Sequence, residues 1–352
     1  MKILNRHLTH QVGFHILLVL GITAIVDLMT SMLNAWSYDL QSDYQWYEAS
    51  QYVLMTLPIR LYELFPLITL IGCLSGLGGL ANQSELTIMR AAGLSIGSIT
   101  KRVLVPVSVI LMLVALVGEL VLPSVGQYAE TYRAELSKNA TSTKYGIWHR
   151  EGNRYLYIAS AHKNGDLGAV TAFEFSEAGH PQQQIHGESG LYNGNGWTLN
   201  GVKTSTLKTD QLLVDTQTDI LWATDMTPKQ LQQLGSTPNQ MGLFELIKYK
   251  GYLSSQGIDT SSYELALWNK LLMPLMALSL VLVAVSFIFG PLRAVATGTR
   301  VFIGVLVGLL IKISQNILGP SSLIFGFDPA IAALLPVAVT TLLGVVLLRR
   351  VF

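Results

Sequence analysis

Six long apolar stretches punctuate the chain, at about 12–33, 54–80, 102–123, 266–289, 301–318 and 329–348, and most polar positions fall between them. Each comes close to the roughly 20 apolar residues that a helix needs to cross a bilayer. Residues 145–222 follow a different rhythm, in which apolar and polar positions alternate. There Tyr155-Leu156-Tyr157-Ile158, Ala169-Val170-Thr171-Ala172-Phe173-Glu174-Phe175 and Gln211-Leu212-Leu213-Val214 read as strands. Asn164-Gly165-Asp166 and Asn193-Gly194-Asn195-Gly196 read as turns. Six or more short strands at this spacing predict a sandwich or jelly roll. Residues 228–234 and 242–256 predict helices that lead back to the next apolar stretch. The pattern as a whole predicts an α-helical membrane protein, with six transmembrane helices and a β-jelly-roll domain inserted between helices 3 and 4. Its parts are 1–123 (helices 1–3, with a short helix over 82–93), 124–265 (the β domain and helical connectors) and 266–352 (helices 4–6).

Half of the residues are apolar and 13% are charged, against about 25% charged in soluble domains. The net charge of +1 gives no general affinity for nucleic acid. Cys73 is the one cysteine, so no intramolecular disulfide can form. The first apolar run follows Lys2 and Arg6, is long enough to span and shows no convincing cleavage site, so it is expected to be a retained helix. Gly72-xxx-Gly76 and Gly304-xxx-Gly308 have the small-residue spacing that lets spanning helices pack closely.

Lys and Arg are distributed asymmetrically among the short loops. They occur at the N-terminus (Lys2, Arg6), in the second loop (Arg90, Lys101, Arg102), in the fourth (Arg293, Arg300) and at the C-terminus (Arg349, Arg350). The first loop carries Asp39, Asp43 and Glu48, and the fifth carries only Asp328. The positive-inside rule then predicts that both termini are cytoplasmic and that 124–265 is external.

No G-x-x-x-x-G-K-[ST] loop occurs, so active transport would need a partner that binds the nucleotide. Gly93-Leu94-Ser95-Ile96-Gly97 matches the G-x-S-x-G pattern but lies between spanning segments. That chemistry needs a strand-turn-helix and a downstream histidine on the same side, so small residues ending a short helix are the better reading. His149, His162, His180 and His186 show no metal-ligand spacing. Asn139-Ala140-Thr141 is a formal sequon to which nothing else in the chain gives weight.

Residues 82–93 carry more information. Asn82 followed by Glu85 predicts an N-terminal cap, and Gly93 predicts the helix end. Leu86, Met89, Ala92 and Gly93 share one side. Two readings stand side by side. One is an amphipathic helix that docks in a partner's groove, with Glu85, Leu86, Met89 and Arg90 at the contact. The other is a plain interfacial helix. The charges in or near the spans are Asp27, Arg60, Glu63, Glu119, Glu130, Arg133 and Lys312, and such charges usually face an interior or a cavity. Arg60 and Glu63 are one turn apart and can pair. Alternatively, Arg60, Lys312 and Arg133 form a basic rim for an anionic ligand, against the simpler reading of snorkelling and local pairs.

The order of these parts resembles the LptF/LptG permease family, which exports lipopolysaccharide in Gram-negative bacteria. The resemblance covers essentially the whole chain. It rests on Leu80-Ala81-Asn82-Gln83-Ser84-Glu85-Leu86, Tyr132-Arg133-Ala134, Ser286-Phe287-Ile288-Phe289-Gly290-Pro291-Leu292-Arg293, and Leu318-Gly319-Pro320 with Ala333-Leu334-Leu335-Pro336. The run after span 4, preceded by Trp268-Asn269-Lys270, is more similar to the G subunit than to its sister F. The resemblance implies a heterodimer with LptF, an LptB ATPase dimer that binds ATP and Mg, LptC, and a periplasmic LptA bridge. It implies no cofactor in this chain and an inner-membrane location. It gives Glu85 the position of the coupling-helix glutamate and Arg133 a basic position near lipid A phosphates. Where the family has lysines, late in span 1 and in the first loop, this chain has Asp27, Asp39 and Asp43; Arg60 and Lys312 would compensate. The competing readings are the F-type subunit, a membrane-anchored sensor or scaffold with a ligand-binding β domain, and a lipid-modifying enzyme. A sensor needs neither six spans nor a coupling helix. An enzyme needs a catalytic cluster on one side of the membrane, and the sequence offers none.

Overall fold

The computed structural model describes residues 2–39, 46–136, 147–159, 166–176, 180–193, 196–208, 211–222, 238–255, 258–290 and 295–350. Among the described residues, six helices are long and apolar enough to cross a membrane. They are α1 (Lys2–Asp39), α2 (Trp46–Asn82), α4 (Ile96–Leu120), α7 (Ser261–Phe289), α8 (Thr297–Phe325) and α9 (Pro329–Arg349). The short helix α3 (Glu85–Ala91) joins α2 to α4. After Val121, α5 (Leu122–Leu136) continues from α4, and α6 (Leu243–Ser255) precedes α7. The expected helix over 242–256 is therefore α6, while the one expected over 228–234 lies outside the described residues.

Most of the helices run past their apolar windows. Less chain is left for the first loop than the apolar stretches 12–33 and 54–80 predict, because α1 extends to Asp39 and α2 begins at Trp46. Hydropathy marks only the apolar stretch of each helix, whereas the exposed Trp36, Trp46 and Tyr47, residue types enriched at membrane–water interfaces, prolong the helices beyond it. Similarly, α8 passes its expected end and Pro320 to reach Phe325, where Gly326 adopts φ 72. Asp328 then caps α9 by accepting from Ala330 N at 2.8 Å, with Pro329 at the first helical position.

The chain divides into two compact units. The membrane unit comprises Met1–Gly126, Gly242–Lys248 and Thr260–Phe352. Helix α2 is its hub, packing against α1, α4, α7 and α8. Ile68, Leu70, Leu74 and Leu77 from α2 meet Leu280, Val281 and Ala284 from α7 in one apolar core. Cys73 is fully buried there. Both small-residue motifs pack onto or from this hub. A Cβ at Gly72 would lie 2.7 Å from Ile16 Cα, and one at Gly76 would lie 3.2 Å from Gln11 O, so the α1 and α2 backbones touch. Gly304 and Gly308 of α8 receive Leu74 and Leu67 of α2. The apolar windows of α2 and α7 are 61% and 72% buried, whereas those of α1 and α8 are each 11% buried. Two spanning helices thus present most of their surface outward.

The second unit, Gln127–Met241 with Tyr249–Asp259, holds the sheet. Its strands are β1 (Ile147–Glu151), β2 (Arg154–Ile158), β3 (Val170–Phe175), β4 (Pro181–Gly187), β5 (Ser189–Tyr192), β6 (Trp197–Lys208) and β7 (Gln211–Trp222). All pair antiparallel in the order β1-β2-β3-β4-β6-β5, and β7 takes the other edge of β6. β4 and β5 share one edge of β6, so the seven strands form one continuous hydrogen-bonded sheet. Leu156, Ile158, Val170, Ala172, Trp197 and Leu199 recur at every second position and bury one face. The turn expected at 193–196 closes β5 onto β6, with Asn193 N donating to Gly196 O at 3.0 Å. The turn at 164–166 falls mostly outside the described residues, as does the sequon at Asn139.

Candidate functional site

The α2–α3 junction is built from a sharp backbone turn. Gln83 N donates to Gly79 O at 3.1 Å and Ser84 N to Ala81 O at 3.0 Å, and Ser84 adopts φ 60. The capping expectation is corrected here. Asn82 ends α2 instead of starting α3, and its amide donates to Thr297 Oγ1 of α8 at 2.7 Å. Ser84 occupies the cap position without a side-chain cap bond. The expected stop is present: Gly93 adopts φ 92, its N donates to Arg90 O at 3.0 Å, and Leu94 N reaches Met89 O at 3.2 Å. This pair of bonds closes a helix through a left-handed residue, which glycine occupies without strain.

The orientation of α3 divides the four residues expected at a partner contact. Leu86 and Met89 are 3% and 6% exposed and belong to this chain's own core, so they anchor the helix. Glu85 is half-buried and faces α1, where His7 Nε2 lies 2.9 Å from its carboxylate. Arg90 is exposed. Between the anchors, Ile88 is 66% exposed, and Thr87, Ala91 and Ala92 flank it on the open side. Ile88 was missed because its signal, an apolar residue adjacent to an apolar stripe, reads equally well as core.

Arg60 pairs differently from the expectation that linked it to Glu63. Its Nε donates to Asp27 Oδ2 of α1 at 2.7 Å, and its Nη2 to Val53 O at 3.1 Å. Its Nη1 donates to Thr56 Oγ1. Helical side chains lean toward the N-terminus, which carries the guanidinium back over Thr56 and Val53 and away from Glu63. Glu63 is exposed and makes no ion pair among the described residues. Lys312 is partly exposed on α8, and no hydrogen bond or ion pair joins it to Arg60 among the described residues. The backbone of Arg133 lies in α5, but its side chain lies outside the described part of the structure.

Three other singled-out residues have local roles. Glu119 Oε1 accepts from Phe244 N at 3.3 Å, placing an anion at the α6 N-terminus where the helix dipole favours it. Ser95 caps α4 by accepting from Ser98 N at 3.2 Å, so the serine of the G-x-S-x-G match is a helix start. In the second unit, His186 Nδ1 meets Thr171 Oγ1 across two paired strands at 2.9 Å.

What the membrane unit can do chemically follows from these placements. Among the described residues it has six helices fit to span, two of them with apolar windows only 11% buried, a partly buried ion pair between α1 and α2, and a short anchored helix that shows an apolar and basic surface. Comparison with known proteins agrees with this outline. The family model described as lipopolysaccharide export system permease LptF/LptG matches residues 6–350. The lipopolysaccharide export system permease protein LptG of Escherichia coli (strain K12) is 33% identical over 315 residues, covering 88% of each chain. Its namesake from Haemophilus influenzae is 29% identical over 327 residues, covering 90% of this chain and 89% of the relative. The match takes in both helical parts and the β unit alike, and the chain belongs to the LptF/LptG family of lipopolysaccharide export permeases.

Proposed function

We propose that this chain is the G-type permease half of an ATP-driven exporter that extracts lipopolysaccharide from the outer leaflet of the bacterial inner membrane and passes it to a periplasmic bridge. The observation that carries this reading is the family match over residues 6–350, reinforced by relatives named LptG across about nine-tenths of the chain. The geometry supports it. The two most outward-facing spans, α1 and α8, are the surfaces a sister permease (LptF) and a lipid cavity require. The open side of α3 fits the groove of an ATPase dimer (LptB), which binds ATP and Mg. In this reading both termini and α3 are cytoplasmic, and the sheet unit is periplasmic and meets LptC and the LptA bridge.

Affinity purification of the tagged full-length chain from its native membrane tests the reading. An ATPase subunit and a second six-span permease are expected in stoichiometric amounts, and purification of the chain without either would overturn it.

The lipid rim is now uneven. Arg60 already has a carboxylate partner in Asp27, whereas Lys312 has none among the described residues. Lys312→Glu is therefore expected to lower lipopolysaccharide photo-crosslinking by about tenfold, the size of one lost charge-assisted hydrogen bond. Asp27→Asn is expected to raise it by releasing Arg60. Equal crosslinking in the wild type and both variants would remove Arg60 and Lys312 from lipid recognition.

A further inference from the structure

Arg300 is unlike the other basic residues at the spans' ends. It lies in the first turn of α8, yet it is 2% exposed. A cation at that position opposes the positive end of its own helix dipole, so its burial needs compensation from outside α8. Part of that comes from α2, because Arg300 Nη1 donates to Gly78 O at 3.3 Å, in the last turns of α2 where the dipole is negative. The same two helix ends are bonded again between Asn82 Nδ2 and Thr297 Oγ1 at 2.7 Å. They also touch at Gly78, where an added Cβ would lie 3.1 Å from Thr297 Cγ2. Only Gln83 and Ser84 separate this double contact from α3. Farther along, α8 packs one face on the core through Gly304, Gly308, Ile303, Val307 and Ile311, while its apolar window as a whole is 11% buried.

We infer that the Arg300–Gly78 and Asn82–Thr297 bonds form a tether that makes α8 follow α3, so that Arg300 is a positioning residue for energy coupling. The inference rests on the proposed function, which gives α3 a partner that moves it. Leu86 and Met89 fasten α3 to the core, and the two-residue elbow turns its displacement into a pull on the end of α2. The tether hands that pull to α8, the helix that carries Lys312 and keeps most of its apolar window unburied. Asn82 and Thr297 fix the contact in position, and Arg300 supplies the charge that the α2 terminus attracts.

The test uses the purified complex in proteoliposomes and measures three quantities: ATP hydrolysis, ATP-dependent release of lipopolysaccharide to a soluble acceptor, and the distance between spin labels at Ile324 of α8 and Leu271 of α7 with and without ATP plus vanadate. Arg300→Met removes the charge and fills most of the same volume with an unbranched apolar side chain. The expected result is unchanged ATP hydrolysis, lipopolysaccharide release lowered by about tenfold, within the usual range of coupling free energies, and loss of the nucleotide-dependent distance change. Arg300→Lys should recover part of the release. The double variant Asn82→Ala/Thr297→Val, at an exposed site, gives the same reading should Arg300→Met misfold. Wild-type release per ATP in the double variant would overturn the tether, as would hydrolysis falling in step with release. A wild-type complex that shows no ATP-dependent release would instead overturn the export function, and the tether with it.

Discussion

Gly72→Val is expected to prevent the membrane unit from assembling. The added Cβ would lie 2.7 Å from both Cα and Cγ1 of Ile16 and 3.0 Å from its backbone nitrogen. A flexible side chain can rotate away from such a contact, but a helix backbone cannot, so α1 must leave. Overpacking a well-filled core costs about 1–3 kcal/mol when side chains can adjust, and a backbone clash exceeds that range. Helix α1 is held along one face, where Leu8, Val12, Ile16 and Val19 are buried, and that is the face the clash would pry off. Its departure would also leave Arg60 without Asp27, exposing an unpaired charge within a span. Gly79→Val provides the control in the same helix, since nothing lies within 4 Å of a Cβ there. Thermal unfolding in detergent, followed by size-exclusion recovery, compares the two. Gly72→Val should aggregate or melt far below the wild type while Gly79→Val stays close to it; equal melting of the two variants would show that the α1–α2 contact is not what the structure depicts.

The second large effect is expected at Ile88. Ile88→Asp leaves the fold alone, because the side chain already faces outward, but it places a carboxylate at the centre of the surface proposed to meet the ATPase. Burying an isoleucine contributes about 1.5–3 kcal/mol, and an unpaired charge at a contact centre adds a further penalty of a few kcal/mol. Together these predict a loss of about two to four decades in affinity. Co-purification of the ATPase should vanish while the melting temperature of the chain stays put. Glu85→Ala should do less, because part of that carboxylate is committed to His7 within the chain. ATPase recovery with Ile88→Asp at the wild-type level would place the coupling surface elsewhere.

The spans, their number and the intervening sheet were legible because each is encoded locally. A hydrophobic run specifies a spanning helix by its own length, and alternation specifies a half-buried strand by its own period. The end of α3 was legible for the same reason, since a glycine at the left-handed position carries its signal in one residue. The start was not, because the turn at Ser84 gives Asn82 to the preceding helix and to a partner 215 residues away in the chain. Arg60 shows the same limit. The spacing pointed to Glu63 one turn ahead, yet the partner is Asp27, 33 residues back on another helix. In α3, a stripe at i and i+3 defined two residues that belong together but not which side faces home. Leu86 and Met89 turn inward, and of the two residues between them Ile88 is the apolar one left facing outward. Arg300 read as a loop charge useful for sidedness, and only the approach of α2 reveals it as buried.

The burial of Cys73 makes the native chain its own reporter. The thiol is fully enclosed in the hub helix of the membrane unit, and the sequence contains no other. A membrane-permeant maleimide can therefore label this chain only while the helices around α2 are apart. The rate of that single reaction becomes a clock for breathing of the bundle, readable by intact mass without introducing any cysteine. Turning the transport cycle over should quicken the clock only if the cycle loosens the hub itself; an unchanged rate would mean that α2 stays closed while the outer spans swing around it.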